Sequence, residues 1–228
     1  MRRYIFPSAL GILGCAILIA LGLWQVRRLA WKEAVLADIT ARIHGPAESL
    51  PAEGLSGKAG PEAKYTPVRV SGHTTGQELL VLSGEKGVGA GFEVIAAFQT
   101  EDGRRILLDR GYIPETAKTA PRPPVPLDLR GNLHWPEETD SYTLEPDLKA
   151  NIWFARDVPK MAAALGTEEV LVVAAEAGGD AQGIRPMPIS ITGIPNDHLG
   201  YAITWFSLAA VWAGMTLLLL WRIRQRQV

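Results

Sequence analysis

An imidazole and an indole seven residues apart, His198 and Trp205, are the side chains in this sequence best placed to do chemistry. On a helix that spacing sets them two turns apart on nearly one face, about 10 Å along the axis. A neutral imidazole above an aromatic wall suits a flat, apolar, iron-bearing ligand such as haem, whose iron takes an axial histidine. An interfacial histidine can equally hydrogen-bond lipid headgroups or water, and residue types alone leave both uses open.

The element that must position this pair is apolar and long. From Leu199 to Leu220 no residue is charged, and at 1.5 Å per residue such a helix spans roughly 30 Å, the thickness of a bilayer's hydrocarbon core. Asp197 marks the edge, because an aspartate at the centre of a span costs about 2.5 to 3.5 kcal/mol on the insertion scale. The second span is therefore read as 199–221, with His198 at the water–lipid boundary. A first apolar stretch, Ile5 to Trp24, is also long enough to cross, with Pro7 in what would be its first turn. Arg2 and Arg3 before an apolar core would also suit a signal peptide. The stretch is long, however, and no small-x-small cleavage site follows it, so a retained anchor is expected.

Arg222, Arg224 and Arg226 follow the second span, which favours a cytoplasmic C-terminus, and Arg2 and Arg3 favour the same side for the N-terminus. Arg27, Arg28 and Lys32 argue the other way for the first span alone. The expected layout is a cytoplasmic N-terminus (1–4), a first span (5–24), a periplasmic domain (25–198), a second span (199–221) and a basic cytoplasmic tail (222–228). A chain that begins almost directly with its anchor leaves no room for a transit peptide, and a bacterial inner membrane is the expected location.

A formal net charge of −1 and the lack of any long Lys/Arg run give no footprint for nucleic acid. The single cysteine, Cys15, lies within the first apolar stretch, so neither an intramolecular disulfide nor a cysteine-based zinc site can form. His44, His73 and His134 are scattered and form no ligand cluster. No G-x-S-x-G elbow is present. The glycines of Gly87-Val88-Gly89-Ala90-Gly91 lack the helix and the Lys-Ser or Lys-Thr pair of a phosphate loop and are read as a hairpin connection.

The middle of the chain reads as α+β, mainly β. Val35, Leu36, Ile39 and Ile43 at helical spacing extend the first helix until Gly45-Pro46, laying an apolar face on the domain, and Gly45 to Lys64 reads as a loop. Tyr65–Gly72 and Gln77–Leu82 read as two strands. Gly91–Thr100 and Arg104–Ile113 read as a hairpin turned at Glu101-Asp102-Gly103, with Asp109 and Arg110 approaching the surface. Leu127–His134 and Val170–Ala175 are further strands. Asp157-Val158-Pro159 to Leu165, then Gly166, carries the cap, early proline and terminal glycine of a short helix.

Taken together, GLWQVRRLAWKEAVLADIT, YTPVRVSG, LLDRGYIP, GNLHWP, NIWFARDVPKMAAALG and NDHLGYAITWFSLA resemble, in family order, the surfeit-locus (Surf/Shy) family of cytochrome c oxidase assembly factors. The resemblance implies a two-span inner-membrane protein, not an enzyme, that transiently holds haem a and assists its insertion into oxidase subunit I. Haem a synthase is an expected further partner, and the lipid bilayer is the surrounding medium. It carries the family's haem-linked histidine onto His198, as the metal ligand, and its tryptophan onto Trp205. Asp109-Arg110-Gly111-Tyr112 and His198-Leu199-Gly200-Tyr201 depart from the family's usual NRGW and HLQY. Arg27 and Arg28 could pair with haem propionates, although lipid phosphates suit them better. A scaffold that steadies an oxidase intermediate without haem is the alternative within the family. A two-span receptor for a periplasmic solute is the alternative outside it, set against a tail too short for an output domain.

Overall fold

In the computed structural model, residues 2–51, 63–85 and 89–225 are described. Part of the expected loop at 45–64, Gly87 and Val88 of the glycine-rich turn, and Arg226 lie outside them. The chain divides into two units, Met1–Asp38 with Ile191–Val228, and Ile39–Ser190.

The first unit is a helix pair. α1 runs Arg2–Ile43 and α3 runs His198–Gln225, both long and apolar enough to cross a membrane. α1 continues past the apolar stretch, as its periodicity predicts, and Pro7 is tolerated near its start. The less exposed positions of α1 recur as Gly11, Cys15, Leu18, Gly22, Gln25, Leu29, Lys32 and Leu36, and those of α3 as His198, Ala202, Trp205 and Ala209. This alternation of fours and threes is the spacing of helices crossing at a shallow angle. Most other large apolar side chains point away from the seam, Phe6 at 74 % exposure and Leu217 at 67 % among them.

The second unit is a closed β-barrel. Its strands are β1 (Glu48–Ser49), β2 (Pro67–Glu85), β3 (Gly89–Thr100), β4 (Arg105–Pro114), β5 (Pro126–Leu133), β6 (Ile152–Trp153) and β7 (Leu171–Gly179). The ladder runs β2-β3-β4-β7-β5 and returns from β5 to β2. β4 and β7 pair in parallel and the other four contacts of the ring are antiparallel. Val68, Phe98, Ile106, Leu108, Leu129 and Val172 from all five strands fill one core. The alternate residues Ala97, Leu107, Leu171 and Val173 pack on Val158, Met161, Ala162 and Leu165 of α2 (Val158–Leu165). β4 is thus covered on both faces, which is why Ile106, Leu107 and Leu108 read as an unbroken apolar run.

α2 has the ends its sequence predicts. Asp157 accepts a hydrogen bond from Lys160 N, and the helix closes on Gly166 in the left-handed conformation. Three expectations change. The strands expected at 65–72 and 77–82 are one long bent strand, β2, whose register with β3 shifts between Thr74 and Glu78. Its first half pairs with β5 and its second with β6. β7 extends to Gly179, because its small, exposed C-terminal residues still pair with β5. Asp109 and Arg110 do not approach the surface; they are 1 % and 6 % exposed. A bulge at this point of the β3–β4 ladder turns them inward, with Gly111 at φ 111° against the backbone of Arg185.

Candidate functional site

In the helix pair, α1 and α3 run antiparallel, and three glycines of α1 each receive an α3 side chain. A Cβ at Gly11 would stand 2.2 Å from Thr216 Cγ2, at Gly14 2.2 Å from Trp212 Nε1, and at Gly22 2.6 Å from Phe206 Cε1. Small residues let helices approach where apolar attraction between them is weak. The Trp212 indole N–H, which lipid could not satisfy, donates to Gly11 O at 3.2 Å. An apolar crevice of about 340 Å³ lined by Pro7, Leu10, Trp212, Met215 and Leu219 opens at the Arg222 end. It is distant from His198, and the candidate chemistry lies at the other end of the pair.

At that other end, His198 is the first residue of α3 and half-buried. Its Nδ1 lies 2.8 Å from Gln25 Oε1, and Gln25 is only 8 % exposed. No hydrogen bond engages His198 Nε2 among the described residues. Trp205 is half-buried on the same seam, two turns further along α3, with Ala202 between them at 2 % exposure. Among the described residues nothing lies within 4 Å of the Cβ position at Gly200, which belongs to the exposed side of α3, two residues on from the imidazole and not facing it. Just outside the pair of chemistry-bearing residues, Lys32 Nζ donates to Pro195 O, and the Arg28 guanidinium stacks on Trp31 at 3.8 Å. The residues fit axial ligation by a haem iron: Nδ1 has a polar partner, and Nε2 has none among the described residues.

The barrel carries a second polar constellation, which runs from the buried Asp109 through the half-buried Arg156 to the exposed Glu138. The Arg156 guanidinium lies 3.1 Å from both Asp109 Oδ2 and Glu93 Oε2, and it also pairs with Glu138. Three carboxylates thus share one cation. Ser83 donates to Glu93, and Gly111 N donates to Asp109 Oδ1 at 3.0 Å. Burial and then the neighbouring Glu93 push the Asp109 carboxyl up to about 7, against the pull of Arg156. Beside this cluster, burial and then Arg156 hold His134 down to about 4, and its buried Nδ1 has no hydrogen-bond partner among the described residues.

These two groups load the barrel's pH dependence in opposite directions. The contribution of protonated Asp109 is complete in acid and is lost as pH rises through about 7. That of neutral His134 is complete above the ordinary imidazole range and is lost as pH falls towards about 4. Asp109→Asn leaves the second slope uncompensated, so its melting temperature is expected to fall by on the order of 5 °C more than that of the unaltered chain between pH 6.5 and 4.5. Thermal melts at intermediate pH values check this; parallel curves for the two proteins would show that Asp109 is ionised in the fold.

A family model for the SURF1 family matches residues 12–210. A SURF1-like protein of Rickettsia bellii is 30% identical over 222 residues, covering 93% of this chain and 88% of the relative. Surfeit locus protein 1 of Xenopus tropicalis is 29% identical over 213 residues, covering 84% and 68%. A SURF1-like protein of Drosophila melanogaster is 29% identical over 217 residues, covering 83% and 69%. The chain belongs to the SURF1 family.

The SURF1 match takes in both units: most of α1, the whole barrel, and the part of α3 that carries His198 and Trp205. His198 and Trp205 fall on one seam, as their spacing predicts, and that seam faces α1. Sequence reasoning missed Gln25, a lone amide beside Trp24 in a helix read for its apolar length and periodicity and for its charges. It also missed Arg156, whose partners lie 18 to 63 positions away in the chain. The one available signal for the cluster was a charged pair, Asp109-Arg110, inside an apolar strand.

Proposed function

We propose that this SURF1-family protein serves cytochrome c oxidase assembly by holding haem a transiently at His198 and releasing it to oxidase subunit I. Family membership supports the assembly role. The observation that carries the haem reading is His198 at the head of α3, with Nδ1 engaged by Gln25 and Nε2 left without a protein partner among the described residues. Haem is the cargo, and its iron supplies the Lewis acid that an imidazole nitrogen binds.

The chain's own residues do the rest. His198 offers a neutral ring nitrogen, and Trp205 gives an apolar wall two turns deeper in the same seam. His198 is the one histidine in the helix pair, so a second axial position falls to water or to a partner, an arrangement suited to release. In this reading the chain is not an enzyme. Its two helices cross the bacterial inner membrane, with both termini cytoplasmic and the barrel in the periplasm. The outward apolar faces of α1 and α3 support a lipid surrounding, since a soluble monomer rarely exposes so large an apolar surface. The three arginines from Arg222 onward support the orientation.

The test is a visible spectrum. The full chain, co-produced with the haem a synthesis enzymes and purified in detergent, is expected to carry haem a, and His198→Ala is expected to lose at least nine-tenths of it. Equal haem in the two preparations removes His198 as the ligand. A colourless protein that still co-purifies with oxidase subunits would instead make it a scaffold.

A further inference from the structure

Gln25 is the buried polar residue of the α1 seam, with Leu18 and Gly22 before it and Leu29 after it; Lys32, the seam's other polar side chain, is only half-buried. A primary amide 8 % exposed in a helix of this kind costs stability unless its polar atoms find partners. Packing alone would be served by an apolar residue, as it is at those three neighbouring seam positions. The partner Gln25 meets is His198, 173 positions away in the chain, at 2.8 Å from Oε1 to Nδ1. No second hydrogen bond orients the imidazole among the described residues.

We propose that Gln25 is the positioning residue of the haem site: its carbonyl oxygen accepts a hydrogen bond from His198 Nδ1–H, fixes that tautomer and holds Nε2 as the nitrogen that meets iron. The inference rests on the haem reading above for its purpose, though not for its geometry. A neutral imidazole carries one proton, and the nitrogen that keeps it cannot donate a lone pair to a metal. Free imidazole side chains favour the Nε2–H form, which would present the wrong nitrogen outward. An acceptor at Nδ1 reverses that preference, and the same bond restricts ring rotation and raises the basicity of Nε2. An amide acceptor is neutral, so it strengthens the ligand less than a carboxylate would, in keeping with a site that must let its cargo go.

The experiment has a haem-free arm and a haem arm, both on the full chain in detergent at pH 8. With ¹⁵N-labelled histidine, and with His198 assigned by its loss in His198→Ala, long-range ¹H–¹⁵N spectra are expected to show the Nδ1–H tautomer. Gln25→Leu is expected to shift it towards Nε2–H. Gln25→Glu, whose carboxylate only accepts, is expected to keep it and carries the test if the leucine variant fails to assemble. An Nε2–H tautomer in the unaltered protein would mean that the amide of Gln25 donates to Nδ1, and that overturns the proposal, as does a tautomer indifferent to both substitutions. In the second arm, ferric haem a is titrated in. Gln25→Leu is expected to weaken binding about 10-fold or more and to alter the electron paramagnetic resonance g values, with Gln25→Glu binding at least as tightly as the unaltered chain. If His198→Ala binds haem as well as the unaltered chain, the haem reading fails while the tautomer result stands. If His198→Ala loses haem and Gln25→Leu matches the unaltered chain in affinity and g values, the positioning role alone fails.

Discussion

Arg156→Met is expected to cost the barrel about 3 to 5 kcal/mol, the usual penalty for removing one member of a buried ion pair, and to lower its melting temperature by about 10 °C or more. The size follows from what is left behind. Asp109 is 1 % exposed, Glu93 has a side chain 12 % exposed, and neither has another basic partner among the described residues. Methionine keeps much of the arginine stem's packing, so the loss reads the charge. Two further measurements confirm that origin. The variant is expected to recover stability as pH falls, because protonation relieves the stranded carboxylates, and adding Asp109→Asn with Glu93→Gln is expected to restore much of the melting temperature. A shift of under about 3 °C in the single variant would mean that water, rather than Arg156, solvates this cluster.

Gly14→Leu is expected to part the helix pair while leaving the barrel folded. Any Cβ at Gly14 meets the Trp212 indole at 2.2 Å, so a leucine there must displace that ring. Displacing that indole breaks its bond to Gly11 O and leaves an N–H unsatisfied in an apolar setting. Cys15 provides the readout. Its Sγ lies 3.9 Å from Ala209 O, and it is the chain's single cysteine, so Ala209→Cys is expected to give an intramolecular disulfide on mild oxidation. Adding Gly14→Leu is expected to cut that yield at least five-fold and to reduce haem retention to the level of His198→Ala. Undiminished cross-linking would show that the pair is not held by this glycine seam.

Local chemistry is legible in the sequence, and long-range geometry is not. The ends of α2 are written in Asp157, Pro159 and Gly166, residues that act on backbone within a turn of themselves. The doubly covered β4 shows as five apolar residues between Ile106 and Ile113. β2 reads as two strands because Thr74-Thr75-Gly76, a glycine beside hydroxyls, has the composition of a turn. In the fold those residues bend a strand whose continuity comes from partners at 89–100, 126–132 and 152–153. Asp109 reads as a surface residue because its counter-ion is 47 positions downstream. The His198–Trp205 pair is visible because both belong to one helix, and Gln25 is not, because its meaning depends on which α1 face meets His198.

The ring of strands also limits how this protein can recognise another. β2 is paired along its length, with β1 and then β3 on one side and β5 and then β6 on the other, and β4, β5 and β7 complete the circuit. A partner therefore finds little open edge on which to add a strand among the described residues, chiefly the side of β7 from Ala174 to Gly179 that β4 leaves unpaired, so β-augmentation, with its largely sequence-indifferent main-chain hydrogen bonds, is confined to short stretches. Whatever docks on the rest of the barrel must read side chains, so specificity there has to be encoded in individual surface residues, and single substitutions can change which partner is chosen without disturbing the fold.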